Sequence, residues 1–135
     1  MASDYGNLGI VFQTRGDLDK AEDMYRKSLA LNEALGRKEG MANQYGNLGN
    51  VFLTRGDLDK AEDMCRKSLA IEEALGRKEG MANQYGNLGN VFKTRGDLAA
   101  ACQHWRKSRD LFRQIGSPTA EQIEGWMRNA GCPDV

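Results

Sequence analysis

The chain has no net charge: its 135 residues carry 19 Lys and Arg against 19 Asp and Glu. That removes the electrostatic case for nucleic acid or an anionic membrane surface as the main partner. No apolar run approaches the roughly 18 to 20 residues that a membrane span needs, so a soluble chain with no membrane partner is expected. A single histidine, His104, leaves no Ser, His and acid constellation to assemble. Cysteine is scarce as well. Cys65, Cys102 and Cys132 form an odd, widely spaced set that fits neither a disulfide framework nor a metal knuckle. This points to a reducing compartment. The opening residues, Met1 to Gly6, lack the basic flank and apolar stretch of a secretory signal, so a cytoplasmic location is expected. Neither catalysis nor a metal nor a cofactor is expected.

What the sequence does have is a repeat. An offset of 40 aligns Tyr5–Gln44 with Tyr45–Gln84 at 35 of 40 positions, departing at Ile10/Asn50, Gln13/Leu53, Tyr25/Cys65, Leu31/Ile71 and Asn32/Glu72. A third copy begins at Tyr85 and drifts from Ala99 onward. Periods of this size mean stacked units, none of which buries its apolar face alone. The units run about 1–40, 41–80 and 81–116, and 117–135 form a separate C-terminal element and tail. Met1-Ala2 aligns with Met41-Ala42 and Met81-Ala82, so the chain opens inside repeat text, as the last three repeats of a longer protein would.

Inside a repeat the spacing is helical. Met41, Tyr45, Leu48 and Phe52 share one face of a first helix, which Gly56 ends with a left-handed cap while Asp57 caps the next. Leu58, Ala61, Met64, Cys65, Ser68, Ile71 and Leu75 form a second stripe that stops at Gly76, a helix of about 18 residues and roughly 27 Å. Its outer side pairs Glu62 with Arg66 and Asp63 with Lys67 at i,i+4, each contributing only about 0.2 to 0.5 kcal/mol. After Gly116, Ser117-Pro118 reads as N-cap and first helical residue, and Ile123, Trp126 and Met127 form a stripe before Gly131 and Pro133. This is a cover for the last repeat. No matching cover precedes Tyr5, and an uncapped N-terminal face favours head-to-tail contact or a homo-oligomer.

The spacing Tyr45-x-x-Leu48-Gly49-x-x-Phe52, followed by Ala61-x-x-x-Cys65, resembles the tetratricopeptide repeat signature, and the other copies fit it with Tyr5, Leu8, Gly9, Phe12, Ala21, Tyr25 and with Tyr85, Leu88, Gly89, Phe92, Ala101, Trp105. The family's usual proline near the end of the second helix is replaced by Glu33, Glu73 and Arg113, which lets that helix run on and accounts for the longer period. The repeated Tyr-Gly-Asn-Leu-Gly text at period 40 is most similar to the long-repeat subclass of adaptors related to Pins and LGN, and to bacterial arrays. HEAT repeats share the period but not these Gly and aromatic positions. The resemblance implies an all-α, right-handed superhelical solenoid of three helical hairpins plus a C-terminal capping helix, serving protein–protein interaction.

One polar row stands out as a candidate site. With Asn43 as zero and about 100° per residue, Asn47, Asn50 and Thr54 fall within about 40° of it, opposite the apolar stripe at about 140° to 200°. The resemblance puts first helices on a concave surface, so that Asn7, Asn43, Asn47, Asn50, Asn83, Asn87 and Asn90, with Thr54 and Lys93, would line a groove. An Asn amide both donates and accepts, so it can pair with the backbone of an extended peptide whatever its side chains. First helices about 10 Å apart and a strand rise of about 3.3 Å allot about three peptide residues to each repeat. A carboxylate clamp is not expected, because Gly6, Ile10, Asn47, Asn83 and Asn87 stand where Lys and Arg would be needed. The rival readings are a structural, self-associating array and the regulatory arm of a larger signalling protein. His104 replaces Met24 and Met64 in the repeat frame and reads as a partly packed substitution; Cys102 points elsewhere on its helix.

Overall fold

The computed structural model describes residues 1–133 and 135. Residue 134 of the expected tail lies outside the described residues. Among those described, the chain is all-α, with seven helices and no strand: α1 (Ala2–Thr14), α2 (Leu18–Leu35), α3 (Lys38–Arg55), α4 (Leu58–Leu75), α5 (Lys78–Arg95), α6 (Leu98–Gln114) and α7 (Thr119–Ala130). The turns follow from the punctuation read above. Gly56 takes φ 81°, a left-handed conformation that costs glycine nothing, and the Asp17 and Asp97 side chains accept from the backbone N–H groups of Lys20 and Ala100 at 3.2 and 3.1 Å. In the C-terminal helix the start shifts by one residue. Pro118 is the cap residue, and Ser117 Oγ accepts from the Thr119 N–H at 3.2 Å, so the first helical residue is Thr119.

The chain forms two compact units, Met1–Ile71 and Glu72–Val135, divided within α4. In the first, α1 packs on α2 and α2 on α3. The two helices of a hairpin are clipped by a buried hydroxyl: Ser28 donates to the Ala2 carbonyl and Ser68 to the Ala42 carbonyl, both at 2.8 Å. Gly9 lets the Tyr25 ring lie against α1, since a Cβ there would sit 2.5 Å from the ring. In the second unit α5 packs on α6 and α6 on α7, around a core of Ala82, Ala101, Trp105, Phe112, Ile123 and Met127. Ser108 repeats the clip on the Ala82 carbonyl at 2.7 Å.

The cysteines depart from expectation. Cys102 on α6 and Cys132, just past α7, form a disulfide with their Cα atoms 5.7 Å apart, across 30 residues of sequence. The physical reason is the cap: Gly131 turns the chain in a left-handed conformation (φ 77°), and the Cys132 N–H then bonds the Met127 carbonyl at 2.9 Å, which folds the chain end back onto α6. Only Cys65 is a free thiol among the described residues, and it is buried.

Candidate functional site

The Asn positions divide between the units. In the first, Asn7 is exposed on α1; on α3, Asn43 and Thr54 are exposed, and Asn47 and Asn50 are half-buried. In the second, α5 carries an exposed Asn83, half-buried Asn87 and Asn90, and an exposed Lys93 near its C-terminal end. The row is set opposite Leu48 and Phe52, which are buried at 0% and 3% exposure.

One glutamine supports each row on α3 and α5, and the apolar periodicity did not reveal either. Gln44 and Gln84 are buried, and Asn47 Nδ2 and Asn87 Nδ2 donate to their Oε1 atoms at 3.4 Å. Gln44 lies over Gly6, with its Nε2 3.2 Å from where a Cβ would stand. Thr54 spends its hydroxyl locally, donating to the Asn50 carbonyl at 3.0 Å. Tyr5, Tyr45 and Tyr85, all half-buried, are topped by Lys27, Lys67 and Lys107 at 5.7, 5.7 and 5.3 Å from the ring centroids. The face is therefore an amide row supported by buried glutamines.

Other chemistry-bearing residues serve packing. His104 Nδ1 donates to the Ala100 carbonyl at 2.8 Å, and its ring stacks on Phe92 at 4.9 Å. Burial pushes the Cys65 thiol up to about 12, with the nearby Glu62 charge adding to it, so the thiol stays protonated and unreactive. Glu72 is buried at 2% exposure and accepts from Arg77 at 3.0 Å; Gly80 leaves its carboxylate room that a Cβ would fill. No group of His, Cys, Asp and Glu suited to a metal occurs among the described residues. No helix of the described residues is long and apolar enough to cross a membrane.

The family profile described as tetratricopeptide repeat matches residues 1–74, and a second profile of the same description matches residues 85–107. The chain belongs to the tetratricopeptide repeat family. Its fold is similar to BtubC (BKLC) from P. vanneervenii, with a TM-score of 0.77 at 25% identity over 84% of this chain and 47% of that one, so the chain spans about half of BtubC. It is likewise similar to the TPR domain of Arabidopsis FLU, with a TM-score of 0.78 at 18% identity, over 84% of this chain and 95% of the other. The nearly identical TPR-like repeats of a putative kinesin light chain from Podosopora anserina give a TM-score of 0.73 at 15% identity, over 95% and 69% of the two chains. No curated protein matches the chain. Tetratricopeptide repeats are in general protein–protein interaction modules, so protein interaction is the class of function this fold serves.

Proposed function

We propose that the chain is a non-enzymatic interaction module whose Asn rows grip an extended peptide segment of a protein partner. The observation that carries this is the recurrence, on α3 and on α5, of an exposed Asn followed by two half-exposed ones on the face opposite the apolar stripe. Such amides pair with peptide backbone, and specificity falls to neighbours such as Leu53 and Lys93. The test uses peptides selected from a random display library on the intact chain, with affinities measured by calorimetry. Each lost hydrogen bond costs about 0.5 to 1.5 kcal/mol. Replacing Asn47, Asn50, Asn87 and Asn90 by Ala together should therefore weaken binding by at least about 2 kcal/mol, roughly thirtyfold, with helicity unchanged. Unaltered affinity in the quadruple variant refutes the reading.

A second reading, self-association through the α1 face, is favoured by one contrast. Leu8 and Val11 are 45% and 42% exposed, while Leu48 and Val51 at the same repeat positions are fully buried. Light scattering of the chain in reducing buffer over a range of concentrations tests it, a strict monomer counting against it.

A further inference from the structure

We infer that the Cys102–Cys132 disulfide is a redox latch on self-association, holding α7 in a seat that α1 of a second copy of this chain is built to fill. This rests on the self-association reading and adds to it the docking surface and its control.

The seat is visible first in the N-terminal unit. There α3 lies against the α1–α2 hairpin, with Gln44 over Gly6. Because α1 and α3 are each followed by a helix of almost the same sequence, the burial that Leu48 and Val51 gain over Leu8 and Val11 comes from the hairpin in front of α3. So α1 displays at Leu8 and Val11 the apolar residues with which α3 fills its seat, and carries Asp4 where α3 has Gln44. In the C-terminal unit α7 stands as α3 does: Gly86, the counterpart of Gly6, faces Ile123 and Trp126 at 3.7 and 3.9 Å from its would-be Cβ. The floor is the same in both, with Ala21 and Ala101 fully buried and Ser28 and Ser108 clipping Ala2 and Ala82.

How the occupant is held differs. Arg55 of α3 is bound ionically to Asp19 and Glu22 of α2. At the matching positions α6 carries Ala99 and Cys102, and the link to the α7 end is the disulfide. The occupant is also shorter, 12 residues against 18 in α3. A cavity of about 340 Å³ bordered by Leu98, Gln103, Arg106, Ala130 and Pro133 opens beside Cys102, so a small dithiol can reach the bond. In the exchange a dithiol thiolate attacks one sulfur to give a mixed disulfide, and its second thiol then closes on the first. The dithiol leaves as a cyclic disulfide, and its two electrons and two protons pass to Cys102 and Cys132, which become thiols. Untied, α7 competes for the seat with α1 of a second copy, a helix of 13 residues against its 12, instead of being locked in it. With Ala99 and Cys102 in place of the acids, the ion pairs that hold Arg55 have no counterpart in this seat, and Leu8 and Val11 carry the docking.

The experiment is sedimentation velocity on the full chain with and without dithiothreitol, alongside Cys102→Ser/Cys132→Ser. The oxidised chain should run as a monomer. The reduced chain should at least double in mass with rising concentration, and the serine variant should do so in either buffer. Leu8→Lys/Val11→Lys should return the reduced chain to monomer while its circular dichroism stays helical. Mixing a variant carrying all four substitutions, whose seat is open and whose α1 is blocked, with the oxidised parent should give a one-to-one complex and nothing larger. Should the serine variant misfold, the parent with and without reductant decides. A monomer in both redox states overturns the latch and the self-association reading together, leaving the α1 face to an unlike partner. Association of the oxidised chain that the lysine pair abolishes overturns the latch alone.

Discussion

The third repeat lacks a hydrogen bond that the first one makes. Tyr25 donates its hydroxyl to Gln13 Oε1 at 2.6 Å, but the indole Nε1 of Trp105, in the same slot, is buried without a partner, and Lys93 occupies the position of Gln13. A buried donor left unmade costs about 1 to 3 kcal/mol. Trp105→Tyr combined with Lys93→Gln rebuilds the pair, and a double-mutant cycle by urea unfolding should show a favourable coupling of about 0.5 to 1.5 kcal/mol. Glu22 supplies a pH dependence. Burial alone would raise its carboxyl, but the hydrogen bonds and charges of Arg26 and Arg55 outweigh it and hold the group below its ordinary 4.5. A carboxyl depressed in the folded state stabilises above the unfolded value and loses that contribution as pH falls through the folded one. The urea midpoint of the parent should accordingly fall toward that of Glu22→Gln once pH drops below 4.5, the two differing most near neutrality.

At the scale of the helix, legibility depended on whether a signal was local. Turns at Gly56 and Gly76 and the stripe of α4 are written in consecutive residues, and they lie where the spacing placed them except at the end of the stripe, where Leu75 is 44% exposed. The depth of Gln44 was not legible, because a glutamine in a polar-looking row is buried only when a glycine on another helix makes room for it. The same holds for the disulfide: Cys102 occupies the frame position of the half-buried acids Glu22 and Glu62, and its partner Cys132 reaches it only because the chain end past α7 folds back onto α6. The stripe of α7 was legible, and its weight can be measured. Met127 is fully buried and Ile123 is at 2%. Truncating a buried methionine to alanine costs about 2 to 5 kcal/mol, so Met127→Ala should lower the unfolding free energy of the C-terminal unit by that amount in urea melts followed by Trp126 and Trp105 fluorescence.

The whole chain inherits the arithmetic of a repeat array, in which each helix answers mainly to its neighbours in sequence. In the N-terminal unit α1 meets α2 and α2 meets α3, and in the C-terminal unit α5 meets α6 and α6 meets α7. Stability in such an array is close to a sum of local terms and nearest-neighbour terms. It follows that damage at one place should not spread evenly. An alanine at Gly89 puts a Cβ 2.2 Å from the Trp105 indole, in a slot with no exposure to yield into, and overpacking of this kind costs about 1 to 3 kcal/mol. If the terms are local, native-state hydrogen exchange of Gly89→Ala should show the amides of α5, α6 and α7 losing protection by roughly five- to a hundredfold, while those of α1 and α2 change by much less. An equal loss along all seven helices would instead mean one cooperative block, and the Asn rows of α3 and α5 would then have to be treated as a single binding element whose variants cannot be read unit by unit.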